Sequence, residues 1–218
     1  MSGLRYIVGA GAQGRVVLET WRAQDPGYRY AFVDDDPELL GEEVDGVPVI
    51  GPITEMSKDP AEAVLAIGHN VRRLELAAIW TGKGIVWGTP VHPSAVVSPS
   101  ARLGPGTVVL PGAVVHTGAV IGPHVIVNTG AIVEHDAVIE DGVSISPGVK
   151  MGGRVKLALG VFLGTGATIA PRVSIGALSV VGAGAVVMRD LPSGVLAYGV
   201  PAKVVRTLPP DYDWRELL

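Results

Sequence analysis

The stretch from Val125 to Met151, VIVNTGAIVEHDAVIEDGVSISPGVKM, carries a large aliphatic residue or Met at every sixth position: Val127, Val133, Ile139, Ile145 and Met151. Stepping outward by six, the column runs unbroken from Val97 to Val187, and each of its sixteen members is aliphatic or Met. A second column, two residues before each anchor, stays mostly small or β-branched from Ala95 to Ala185. A helix repeats about every 3.6 residues and a strand every two, so neither accounts for a period of six. Hexads with Gly or Pro at the corners are the signature of a parallel β-helix, in which each short strand points one anchor inward and three strands close a triangular coil. Residues 18 apart then stack. Sixteen rows predict about five coils, in a prism roughly 25 Å long at ~4.8 Å per coil.

Composition agrees with a regular aliphatic core. Of 218 residues, 48% are hydrophobic but only 5% aromatic and 17% charged, while 30 Gly and 17 Pro supply the corners. So apolar a chain is not disordered. The net charge of −4 provides no positive field for a nucleic-acid backbone, which excludes nucleic acid as the expected partner. With Cys 0, disulfides, thiolate metal sites and Cys nucleophiles are all excluded. No signal-like apolar segment or stretch of about 20 apolar residues opens the chain, so the expectation is a soluble, cytoplasmic protein without membrane insertion.

Upstream of the hexads the period changes. Arg5 to Val8 reads as a buried strand, Gly9 to Gly14 as a turn and Arg15 to Arg22 as a helix, which opens a βαβ unit. Further strands are expected at Tyr28–Val33, Val47–Ile50 and Ala63–Ile67, and a helix from Asn70 to Trp80. The predicted organisation is a Rossmann-like α/β domain over residues 1–88, a β-helix over 89–192 and a C-terminal tail over 193–218, with a short helix expected from Pro209 onward. Gly9-x-Gly11-x-x-Gly14 lies between strand and helix, and Asp34 follows at the end of the next strand, so a nucleotide phosphate is expected at this turn. An NAD-dependent oxidoreductase is disfavoured, because nothing resembles a second substrate domain.

The hexad frame also isolates one histidine. The column holding His135 otherwise contains Pro, Thr, Gly and Asp, so corner geometry does not ask for an imidazole there. Its neighbour Asp136 falls in a column with nine Gly among sixteen members. Gly153 lies eighteen residues beyond His135, one coil along the same edge. A general base, an acid to orient it and a bare backbone N–H to receive an oxyanion are the parts that acyl transfer requires. The alternative is a solvated turn pair. His69, His92, His116 and His124 read as structural residues. A metal site is not expected, because His116, His124 and His135 occupy three different columns.

The segments Ile7–Gly14, Phe32–Asp36, Ala66–Asn70, Val91–Ala95, Asn128–Asp136 and Gly199–Lys203 resemble the sialic acid O-acetyltransferase and bacillosamine N-acetyltransferase family of sugar acyltransferases, over nearly the whole chain. The resemblance implies a left-handed β-helix, a homotrimer with active sites between subunits, and acetyl-CoA as co-substrate without a metal. It implies that His135 deprotonates the acceptor, Asp136 orients it, Asn128 positions the acceptor and the Gly153 N–H holds the tetrahedral oxyanion. Gly9, Gly11, Gln13, Gly14, Asp34 and Asp35 would hold the nucleotide of an amino sugar. Cofactor contacts would fall on Ser144, Gly153, Gly164, Thr165, Ala183, Lys203 and Arg206. Two positions depart from many relatives, which carry His in place of Gln13 and of Ser144. The expected function is acetyl-CoA-dependent N-acetylation of a UDP- or GDP-linked amino-deoxy sugar. O-acetylation of a sugar and a noncatalytic nucleotide-sugar scaffold are the alternatives.

Overall fold

The structure, a computed structural model, describes residues 3–56, 62–209 and 212–213. Four parallel strands form the N-terminal sheet in the order β2-β1-β5-β6, with β1 at Leu4–Val8, β2 at Arg29–Val33, β5 at Glu62–Leu65 and β6 at Val86–Trp87. Parallel pairing requires crossovers, and helix α1 (Ala12–Gln24) and helix α2 (Asn70–Thr81) supply two of them. Ile7 and Phe32 pack with Val17, Leu18 and Trp21 of α1 on one face of the sheet. Tyr6, Val8 and Val33 pack with Leu76 and Trp80 of α2 on the other. Alternating side chains along β1 and β2 thus bury both faces.

Two local expectations change. Helix α1 starts at Ala12, three residues earlier than predicted, and takes Gly14 into its first turn. A Cβ on Gly14 would run into the Gly9 carbonyl and stand 3.1 Å from the Phe32 ring, so glycine here permits close helix–strand contact. The third predicted strand, Val47–Ile50, does not join the main sheet as a strand. Val47–Pro48 (β4) instead closes a small hairpin with Glu43–Val44 (β3), through Asp45 and Gly46 at φ 49° and 72°. The Asp-Gly pair favours that two-residue turn, and Pro48 cannot donate to a longer ladder. A single parallel bridge, Phe32 to Val49, ties the hairpin to the sheet.

From β7 (Val96–Val97) to β22 (Val186–Val187), sixteen two-residue strands begin every six residues and stack in three parallel sheets. Register is 18 residues, as in Val115 to Val133 and Val133 to Met151. The fold is a left-handed β-helix. The count of coils needs correction from about five to about six. Val91 bridges Val109 ahead of the hexads, and after them Leu191 bridges Ile175 and β23 (Val195–Gly199) pairs with Val180–Val181. The closing rows are 16 residues from their partners, so a strict step of six passes over them. The anchors Ile139, Ile145, Met151 and Leu157 are at most 2% exposed. Burying such a side chain stabilises by about 1.5–3 kcal/mol, and the column therefore holds the prism together along its length.

Beyond the last coil, β23 turns back into β24 (Ala202–Thr207), an antiparallel hairpin that extends one sheet. The helix expected over 209–218 lies outside the described residues apart from Pro209, Tyr212 and Asp213. The α/β domain packs on the same face as this hairpin: Val108 and Leu110 of the β-helix, both 0% exposed, join the α1 core cluster.

Candidate active site

His135 and Asp136 turn the corner between β13 (Ile132–Val133) and β14 (Val138–Ile139). Asp136 sits at φ 57°, a left-handed conformation in which glycine is the unstrained choice. Its carboxylate is 2.9 Å from Nδ1 of His135, and Arg154 Nε stands 3.5 Å from the same oxygen. The hydrogen bond with His135, followed by Arg154, holds the Asp136 carboxyl below the ordinary carboxylate range. An ionised acceptor at Nδ1 fixes the proton there and leaves Nε2 as the basic nitrogen.

Gly153 lies under the same imidazole one coil along. A Cβ built on it would come 2.7 Å from Cε1 and 3.0 Å from Cδ2 of His135. The flanking amides belong to the ladder, Gly152 N–H donating to Ile169 O and Arg154 N–H to His135 O, both at 2.9 Å. The Gly153 N–H has no place in that ladder and remains beside the ring. Base, orienting carboxylate and unengaged amide share one half-exposed edge, as the stacking rule requires.

A second feature occupies a different face. A cleft of about 740 Å³ runs along the β-helix beneath the α/β domain. Its walls repeat every 18 residues for three steps: Ile126, Ser144, Phe162 and Val180 form one row, and Asn128, Ser146, Gly164 and Gly182 the next. Leu196 and Tyr198 of β23 close it, Thr165 and Ala183 line its edge, and Gln13 and Gly68 reach in from the α/β domain. Gln13 Nε2 is buried there without a hydrogen-bond partner.

The predicted residues therefore divide into two groups. Asn128, Ser144, Gly164, Thr165, Ala183 and Gln13 meet at the cleft, whereas His135, Asp136 and Gly153 stand on another edge of the same chain. Lys203 and Arg206 are on β24 and do not line the cleft. Arg206 holds the Tyr212 hydroxyl at 2.9 Å. In the Gly-rich turn, Asp34 Oδ2 accepts the Ala10 N–H at 2.7 Å and its Oδ1 accepts the Asp36 N–H at 3.0 Å. A carboxylate thus already faces the start of α1, where a dinucleotide diphosphate would sit. Gly11 caps the helix in open space, and Asp35 accepts the Ile53 N–H at 3.0 Å.

Sequence reasoning missed Asn70 and Arg73, which come from α2 to the floor of the cleft. Arg73 is 1% exposed, and the guanidinium reaches the carbonyls of His124, Ile67, Gly68 and Gly142 as well as Asn70 Oδ1 and Ser144 Oγ, at 2.7–3.2 Å. Without a carboxylate partner, burial lowers its pKa to about 9. An arginine in an amphipathic helix gives no spacing signal that separates it from a solvated one. Arg154 was legible, since it replaces glycine in the corner column 18 residues after Asp136. Among the described residues, no group of three or more His, Cys, Asp or Glu is placed to hold a metal, and no helix is long and apolar enough to cross a membrane.

Residues 6–79 match the family described as the PglD N-terminal domain. Among solved structures, perosamine N-acetyltransferase from Caulobacter crescentus, in complex with CoA and GDP-perosamine, is 39% identical with a TM-score of 0.88, covering 94% of this chain and 98% of that one. The acetyltransferase domain of PglB from Neisseria gonorrhoeae is 35% identical, TM-score 0.88, over 93% of this chain and 99% of that one. WeeI from Acinetobacter baumannii is 28% identical, TM-score 0.85, over 94% and 100%. No curated protein matches the chain.

Proposed function

The chain belongs to the PglD-type family of sugar acyltransferases, and on that premise we propose that it transfers acetyl from acetyl-CoA to the amino group of a nucleotide-linked amino-deoxy sugar. The observation that carries this reading is the placement of His135, hydrogen-bonded to Asp136 at 2.9 Å, directly over the free amide of Gly153. GDP is favoured over UDP as the carrier, because the 39%-identical relative was solved with GDP-perosamine.

The chemistry follows from those groups. The neutral amine attacks the thioester carbonyl and a C–N bond forms. The carbonyl electrons move to oxygen, where the Gly153 N–H donates to the oxyanion. His135 Nε2 takes the proton that the amine loses, while Asp136 stabilises the resulting imidazolium through Nδ1. Collapse re-forms the carbonyl and breaks the C–S bond, and the imidazolium returns its proton to the departing sulfur.

Since one chain holds the base and the cleft on separate faces, a complete site brings the His135 edge of one copy against a neighbouring copy. A homotrimer satisfies this with three equivalent sites. The deciding experiment is mass spectrometry of reactions containing acetyl-CoA and a panel of GDP- and UDP-linked amino sugars. A gain of one acetyl group on an amino sugar supports the proposal. Acetylation only of hydroxyl-bearing acceptors converts it to the O-acetyl reading, and no transfer to any acceptor points to a nucleotide-sugar scaffold.

A further inference from the structure

We infer that Ser144 meets a bound ligand only as a hydrogen-bond acceptor, and that buried Arg73 is the positioning residue that holds it in this role. The deduction rests on counting protons. Asn70 Nδ2 donates to the carbonyls of Gly160 and Val161 at 3.0 and 3.1 Å, so its Oδ1 must face Arg73 and Ser144. A guanidinium has donors only, and therefore cannot accept the Ser144 proton. That proton goes to Asn70 Oδ1 at 2.7 Å, while Arg73 Nη2 donates to Ser144 Oγ at 3.0 Å. A hydroxyl has one hydrogen and two lone pairs. With the hydrogen and one lone pair committed, Ser144 offers the cleft a single lone pair.

Burial makes this arrangement rigid. Asn70, Arg73 and Ser144 are 3%, 1% and 6% exposed, and each reaches across the junction between the α/β domain and the β-helix. Turning the Ser144 hydroxyl toward a ligand carbonyl would leave Asn70 Oδ1 with Arg73 alone, at the longer distance of 3.2 Å. Gln13 presents the opposite polarity, an unpartnered Nε2 donor in the same cleft. The two positions thus call for a ligand that offers an N–H at Ser144 and an acceptor at Gln13. Under the acetyltransferase reading, on which this inference rests, two sources supply that N–H: an amide of the pantetheine arm and the amine of the acceptor sugar.

Steady-state kinetics against both substrates separates them, using Ser144→Ala, Arg73→Lys and the double variant. Ser144→Ala is expected to raise one KM about 5- to 10-fold, more than it changes kcat. Elevation of the acetyl-CoA KM identifies pantetheine, and elevation of the sugar KM identifies the amine. Arg73→Lys is expected to shift the same KM, and to add less than about 2-fold once Ser144 is Ala, because its effect passes through that hydroxyl. Independent, multiplying effects overturn the positioning role, and an unchanged KM for both substrates in Ser144→Ala overturns the acceptor role while leaving acetyl transfer intact. If the wild-type chain transfers no acetyl group, calorimetric titration of wild type and Ser144→Ala with CoA and with GDP-perosamine replaces kinetics. Weaker binding of either by the variant supports the inference, and equal binding overturns it.

Discussion

Gly153 owes its identity to His135. Its φ is not left-handed, so the backbone does not demand glycine; a side chain is excluded by the imidazole, whose Cε1 would lie 2.7 Å from a Cβ at this position. Gly153→Ala is accordingly expected to fold, because the strands on either side are unaffected, while the ring is pushed from its place over the amide. A displacement of about 1 Å in a reacting group costs on the order of 10²-fold in rate. The expected outcome is a kcat lowered about 10²-fold with the melting temperature within a few degrees of wild type. A near-normal kcat would remove this contact from the mechanism.

His135→Ala removes the proton acceptor and should reduce kcat by about 10²–10⁴-fold, while CoA affinity by calorimetry changes little. Asp136→Asn keeps the side-chain size but withdraws the charge that steadies an imidazolium, so a smaller loss is expected. Since Asp136 is held below the ordinary carboxylate range by His135 and Arg154, its charge persists on acidification past the point at which an unpaired aspartate would lose it. Activity on the acid side should therefore follow protonation of His135 rather than of Asp136. A pH–rate profile checks this: Asp136→Asn should lower the plateau and leave no second acid limb to abolish.

Much of this arrangement could be read before any coordinates, for a physical reason. In a β-helix with an uninterrupted step of six, sequence position fixes column and coil, so the meeting of His135 with Gly153 and of Asp136 with Arg154 is arithmetic. The same rule fails where the spacing tightens, at Leu191 and β23, and one coil is lost from the count. It also says nothing about what another domain brings to the surface. Asn70 and Arg73 belong to a helix whose periodicity marks an apolar face, yet both are buried against carbonyls of the β-helix. Contacts across two differently periodic units are set by docking, which neither period records. Asp34 shows a further limit, since the spacing that suggests a ribose contact is also satisfied by a carboxylate that caps the Ala10 amide.

His124 makes acid stability a test of that docked interface. It is 5% exposed, packs edge-on against Trp87 with ring centroids 4.8 Å apart, and its pKa is lowered to about 4 by burial and then by Arg73. An unfolded histidine titrates near 6.5. Between those values the unfolded chain binds a proton that the folded chain refuses, so stability is highest above about 6.5 and falls as pH drops toward 4. The contribution is at most about 3 kcal/mol. Denaturant unfolding at several pH values should show this decline, and His124→Gln should flatten it even if it lowers stability overall. Parallel curves for the two proteins would mean that His124 is not the group responsible.

Adjacent residues of one strand separate folding from assembly. In β14, Ile139 points into the prism at 2% exposure, whereas Val138 points outward at 42%. Ile139→Ala removes buried methylenes from a column whose neighbours, Ile121 and Leu157, are fixed by coil-to-coil pairing and cannot collapse into the gap. A loss of about 2–5 kcal/mol is expected in denaturant titrations. Val138 stacks in line with Val120, 39% exposed, so this face carries an apolar stripe that the single chain leaves uncovered. If copies meet here to complete the site, Val138→Asp should shift the sedimentation coefficient to that of a monomer and reduce acetyl transfer, with the circular dichroism spectrum unchanged. Retention of the wild-type oligomer would move the contact to another face of the prism.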